Sequence, residues 1–138
     1  MKKNVLVLCT GNSCRSQIAE AYLRHFGSDK INVYSAGVEV HGLNPKAVEV
    51  LKADDIDIAH HTSNHIDEYK HILFDIIITV CDNAKESCPV FTVTGLKLHH
   101  NFPDPAKFRG TEEEVLAHFH SVRLLIKDYC ANFVANYL

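Results

Sequence analysis

Apolar and polar residues recur along this chain at two different periods, and the switches between them mark out its elements. Residues 4–8, Asn-Val-Leu-Val-Leu, form a nearly continuous apolar run, as expected for a strand covered on both faces. From Arg15 to Phe26 the spacing becomes helical, with Ile18, Ala19, Tyr22, Leu23 and Phe26 on one stripe. Gly27 follows as a C-cap signal. Residues 31–35 predict a second strand, ended by Ala36-Gly37. Asn44-Pro45 opens another helix, with Pro at the favoured first position and Ala47, Val48, Val50 and Leu51 turned inward. A short helix is expected within residues 64–73, the strongest strand over 75–80, and a weaker one over 96–100. Thr111 with Glu114 three residues on reads as a capping box. It starts a long final helix whose stripe takes in Val115, Leu116, Phe119, Val122, Leu125, Ile126 and Tyr129.

Strands alternating with helices predict βαβ units and a parallel sheet. With no repeat or linker, residues 1–138 read as one domain, and four strands suit that length. Right-handed crossovers favour an open, doubly wound α/β sheet with helices on both faces. Ligands in such sheets sit beyond the carboxyl ends of the strands. Three segments fall there: residues 9–16, the segment after Val80, and residues 101–106.

Composition narrows the field by exclusion. With 46% hydrophobic residues, 22% charged residues and a net charge of −3, the chain is neither disordered nor suited to a nucleic-acid surface. Met-Lys-Lys precedes only five apolar residues, too few for an export signal, and no later run spans a membrane. A cytoplasmic chain is expected, and there the five cysteines (Cys9, Cys14, Cys81, Cys88 and Cys130) are structural, metal-bound or reactive. The ten histidines show no C-x-x-C or H-E-x-x-H context, so no structural metal is expected. Cys130, among apolar neighbours on the final helix, belongs to the core.

The stretch "CTGNSCRS", residues 9–16, carries the chemistry. A helix beginning near Arg15 presents unsatisfied N–H groups and a partial positive charge. Gly11 permits a positive φ and Asn12 tolerates one, so Thr10, Gly11, Asn12, Ser13, Cys14 and Arg15 can curl into an oxyanion cradle. Arg15 adds a planar fork for two oxygens of a tetrahedral anion. Cys9 ends the strand beneath the cradle, where the helix end, Arg15 and the Ser16 hydroxyl would lower its thiol pKa and make it a nucleophile. The loop lacks the second glycine and lysine of a Walker loop.

"VLVLCTGNSCRSQIAE" resembles the low-molecular-weight protein tyrosine phosphatase superfamily, and within it the thioredoxin-coupled arsenate reductases. Thr10, Ser13, Cys14 and Gln17 fit the reductase form; phosphatases usually carry Pro at the position of Gln17. "YSAGVEVHGLNPKAV", "HTSNHID" and "DPAKFRGTEEE" extend the match over nearly the whole chain. The resemblance implies a flavodoxin-like, low-molecular-weight phosphatase-like fold. It places the general acid on Asp104, which Pro103 and Pro105 pin. Beyond Asp104, Ala106-Lys107-Phe108 replace the aromatic residues that usually line a phosphatase's phenol pocket.

A phosphatase has no use for Cys81 and Cys88, which sit in "ITVCDNAKESCPV". In the reductase that the resemblance implies, Cys9 attacks arsenate and Cys81 attacks Cys9, releasing arsenite. Cys88 then attacks Cys81, leaving a disulfide for thioredoxin, or less favourably glutaredoxin, to reduce. On an intact helix, residues 81 and 88 would stand ~10.5 Å apart, against roughly 4.4–6.8 Å in a disulfide, so residues 82–88 must loop out on oxidation. Cys14 reads as a bystander. Some relatives bind potassium beside the loop, and Asn12, Glu20, Ser35 and Thr62 match that pattern. Asn64 stands where an Asp is common, and Asn12 and Ser35 serve equally as hydrogen-bonding braces. No tightly bound cofactor is implied, and a monomer is expected. Two alternatives stay open: a phosphatase working through a Cys9 phosphocysteine, and a non-catalytic oxyanion-binding or redox-sensing domain.

Overall fold

The computed structural model describes residues 2–81 and 93–138, with side chains of the second segment from residue 96 onward. Strands β1 (Lys3–Cys9), β2 (Ile31–Gly37), β3 (Phe74–Thr79) and β4 (Val93–His99) form one parallel sheet in the order β2-β1-β3-β4. The two central strands carry the most apolar sequences. Val5, Leu6, Val7 and Leu8 of β1 are wholly buried, as a strand sheltered on both faces requires. The order reverses direction at β1, so the carboxyl end of β1 opens at the topological switch point.

Helices α1 (Arg15–Gly27), α2 (Pro45–Lys52) and α3 (Glu112–Tyr137) pack against one another. Odd-numbered residues of β2 face α1: Ile31 abuts Gly27, and Ser35 bonds Glu20. Tyr34 therefore points to the opposite face. There it meets Tyr69 of the single-turn helix Ile66–Tyr69 at 5.3 Å, and Phe74 at 5.6 Å, between ring centroids. Helical elements thus cover both faces of the sheet.

The capping signals at Asn44 and Thr111 hold. Asn44 accepts from the Lys46 amide, and Thr111 and Glu114 cap one another reciprocally. Two expectations are corrected. Gly27 does not take the left-handed position after α1; it stays helical, and Ser28 takes φ 46°. Gly27 instead lets the Ile31 side chain pack close, since a Cβ there would lie 2.5 Å from Ile31 Cδ1. Leu125 is half exposed and leaves the α3 stripe, which runs Phe119, Val122, Ile126, Cys130, Phe133. Ile126, one residue on, takes the inward position.

Candidate active site

Between β1 and α1 the chain curls around a point above the end of β1. The carbonyls of Thr10, Gly11 and Ser13 accept from the amides of Glu39 (2.9 Å), His41 (3.0 Å) and Asn44 (2.9 Å). The Asn12 carbonyl accepts from Gln17 Nε2 at 3.1 Å. In a trans peptide the carbonyl and the next N–H point in opposite directions. These bonds therefore turn the N–H groups of Gly11, Asn12, Ser13 and Cys14 inward. Cys14 caps α1 with no side-chain acceptor on the first amides, so the positive end of α1 faces the same space. The arrangement is an anion cradle.

Asn12, not Gly11, supplies the left-handed turn, with φ 50°. An Asn side chain bonds locally in that region at little cost. Gly11 leaves room for the His41 ring, which a Cβ there would push aside. Gly37, at the end of β2, has a similar role: a Cβ there would stand 2.7 Å from Thr10 O and 2.8 Å from Asn12 N.

Cys9, Arg15, Ser16, Cys81 and Asp104 come together here. Arg15 Nη1 donates to Phe102 O at 3.0 Å, and its Nη2 lies 3.5 Å from Asp104 Oδ2. The other oxygen of Asp104 accepts from the Ala106 amide at 3.1 Å, so the local turn orients the carboxyl. Ser16 Oγ accepts from Asn12 Nδ2 at 2.8 Å and keeps its own hydrogen for donation. Cys81 Sγ lies 3.2 Å from Thr10 Oγ1 and shares a side-chain hydrogen bond with Cys9. Cys9, Cys14 and Cys130 are buried free thiols, and Cys81 is buried as well. Cys88 and the 82–88 segment, on which the expected rearrangement falls, lie outside the described residues.

The expected lowering of the Cys9 pKa is corrected. Its thiol is held above the ordinary range, first by the hydrogen bond with Cys81 and then by burial. Arg15 and the Thr10 backbone N–H pull the other way. Because that hydrogen bond is the largest cause, the state of Cys9 depends on Cys81. Cys14 is pushed up to about 12, mainly by burial and then by Asp104. Cys130 Sγ lies 3.6 Å from Ala19 O within the core, as its neighbours predicted.

Asn12, Glu20, Ser35 and Thr62 form a brace. Asn12 Nδ2 donates to Ser35 Oγ (3.0 Å), and Ser35 donates to Glu20 Oε1 (2.6 Å). Asn12 Oδ1 accepts from the Asn64 amide (2.8 Å) and from Gln17 (3.2 Å). Glu20 Oε2 already pairs with Arg24 at 2.8 Å. Thr62 O accepts from Gln17, and its hydroxyl donates to Asn64, a neutral amide. These oxygens are committed to protein donors and the one carboxylate is neutralised. They do not fit a potassium ion.

Sequence reasoning missed His61 and Ser63, and it used Gln17 only as a point of resemblance. Ser63 Oγ donates to Gly11 O at 2.9 Å, and His61 Nδ1 lies 3.1 Å from Gln17 Oε1. His61 and Ser63 lie in the matched stretch "HTSNHID", but nothing in that polar stretch, far along the chain from the loop, showed that they reach the cradle.

Cradle, sheet order and buried cysteine together define an α/β oxyanion-binding protein built around a cysteine. The chain belongs to the low molecular weight phosphotyrosine protein phosphatase family, whose sequence pattern matches residues 4–137. It is 48% identical over 122 residues to an arsenate reductase of Bacillus licheniformis, covering 88% of each chain. It is 46% identical over 121 residues to an arsenate reductase of Bacillus subtilis, covering 88% of this chain and 87% of the other. Among solved structures, an arsenate reductase in the phosphate binding state superposes with a TM-score of 0.78 at 31% identity, covering 99% of both chains. One in the oxidised state gives 0.80 at 30% identity and 98% of both. A low molecular weight protein tyrosine phosphatase from T. tengcongensis gives 0.80 at 22% identity over 97% of this chain and 99% of that one, a likeness of fold.

Proposed function

We propose that this chain reduces arsenate to arsenite through its thiols and is regenerated by thioredoxin. The observation that carries this is the second thiol. Cys81 is buried against Cys9 and Thr10 at the cradle's rim, where hydrolysis of a phosphate ester has no role for it. The similarity to arsenate reductases over most of the chain supports the same reading.

Arsenate is held by the inward amides and the Arg15 fork. A dianion entering the cradle is the base at hand for the Cys9 proton. The Cys9 sulfur bonds to arsenic, and one oxygen leaves as water with a proton from Asp104. Cys81 then attacks Cys9. The S–As electron pair passes to arsenic, which leaves as arsenite, and a Cys9–Cys81 disulfide remains. Cys88 attacks Cys81 and frees Cys9, and the thioredoxin dithiol reduces the Cys81–Cys88 disulfide. The chain acts as a cytoplasmic monomer, where reducing conditions keep the thiols competent. Among the described residues no helix is long and apolar enough to cross a membrane. Hydrolysis of phosphate monoesters through a Cys9 phosphocysteine is a side activity of the same cradle, favoured by the family's chemistry.

The test is arsenate-dependent NADPH oxidation with purified thioredoxin and thioredoxin reductase. The wild-type chain turns over. Cys88→Ser releases one arsenite per chain and stops. Equal multiple turnover by the variant, or no arsenite from either protein, would refute the proposal.

A further inference from the structure

We infer that Gln17 is a positioning residue for the oxyanion cradle, itself aimed by His61. The inference deepens the reading of residues 9–15 as the oxyanion site and rests on it. Three of the four loop carbonyls that set the inward amides are fixed by main-chain amides of residues 39–44. The fourth, that of Asn12, is held by one side chain, Gln17. That carbonyl fixes the plane of the peptide between residues 12 and 13, and so the direction of the Ser13 N–H. Asn12 is also the residue in the left-handed region, where the backbone is least able to hold itself.

Gln17 is wholly buried, and each of its polar atoms has a partner. Its Nε2 faces three oxygens: Asn12 O at 3.1 Å, Asn12 Oδ1 at 3.2 Å and Thr62 O at 3.0 Å. Two of these are carbonyls of the main chain, which only accept, so the orientation of the amide is fixed. Its Oε1 must then accept, and His61 Nδ1 supplies the proton. Glu20 Oε2, 3.6 Å from the same nitrogen, favours that tautomer. The chain of contacts runs from His61 through Gln17 to the Asn12 peptide and ends at a cradle amide.

The test measures binding of inorganic phosphate through protection of Cys9 from iodoacetamide, beside the thermal midpoint of each protein. Gln17→Met keeps the volume and removes the donors. It should weaken phosphate binding roughly tenfold, the effect of about one misplaced hydrogen bond, and shift the pH profile of Cys9 alkylation. His61→Leu should weaken binding less, by roughly two- to fivefold. A lower midpoint with unchanged phosphate affinity and pH profile would make Gln17 merely structural and overturn the inference. If Gln17→Met does not fold, His61→Leu decides, and unchanged affinity there overturns it equally. A wild-type chain that phosphate fails to protect removes the oxyanion site, and with it both this inference and the proposed function.

Discussion

Replacing Cys81 with alanine should make Cys9 more acidic. The hydrogen bond with Cys81 is the largest cause holding the Cys9 thiol above its ordinary range, ahead of burial. Arg15 and the Thr10 N–H, which favour the thiolate, remain in the variant. A hydrogen bond of this kind contributes about 1 kcal/mol net. At 1.36 kcal/mol per unit, its loss lowers the pKa by roughly 0.7, and by about 1 with the added access of water. Thiolate at neutral pH then rises by roughly five- to tenfold while the pKa stays well above 7. The assay is the pH midpoint of Cys9 alkylation by iodoacetamide, read by peptide mass spectrometry. The midpoint, unlike the rate, does not depend on steric access. Cys14, raised by burial and Asp104 and not by Cys81, should keep its own midpoint in the variant and serves as the internal control. A midpoint unchanged or higher in Cys81→Ala would refute the coupling of the two sulfurs.

Other outcomes follow from the same geometry. Arg15→Lys keeps the charge but loses the fork and the bond to Phe102 O, so phosphate affinity should fall about 10- to 100-fold; equal affinity by calorimetry would contradict it. Gly37→Ala should cost about 1–3 kcal/mol in urea unfolding, because its Cβ meets main-chain atoms of the loop that cannot step aside. An Ala variant as stable as wild type would show that the loop yields there. Burial, opposed by Glu20 and aided by His60 and Arg24, lowers the His61 pKa. The unfolded chain therefore takes that proton first as pH falls through about 6.5, and stability drops from there downward. The loss between about pH 7.5 and 5.5 should be smaller in His61→Leu than in wild type; equal losses in urea midpoints would count against it.

Most of the fold was legible because its signals are local. The apolar run of β1, the stripe of α1 and the caps at Asn44 and Thr111 each depend on neighbours within a few residues. Strand β4 was placed three residues short, because Thr94-Gly95 interrupts the apolar pattern at the start of this edge strand. Leu125 failed because its spacing from Val122 fits a helical stripe, yet only Ile126 turns inward while Leu124 and Leu125 both stay half exposed, a choice that the packing of α3 makes. The cradle was legible from one loop, while its supports were not. Thr10 meets Cys81 71 residues away, and Arg15 meets Phe102 87 residues away. The raised Cys9 thiol arises from such a long-range contact, so a local account of helix end and arginine gave the wrong sign.

The central claim is that Cys81 resolves Cys9. Its most direct measurement is to treat Cys88→Ser with one equivalent of arsenate, quench in acid and map the disulfides by mass spectrometry. The account predicts a Cys9–Cys81 crosslink formed in step with released arsenite. Arsenite released with Cys81 still a free thiol, or with Cys9 joined to Cys14, would contradict it.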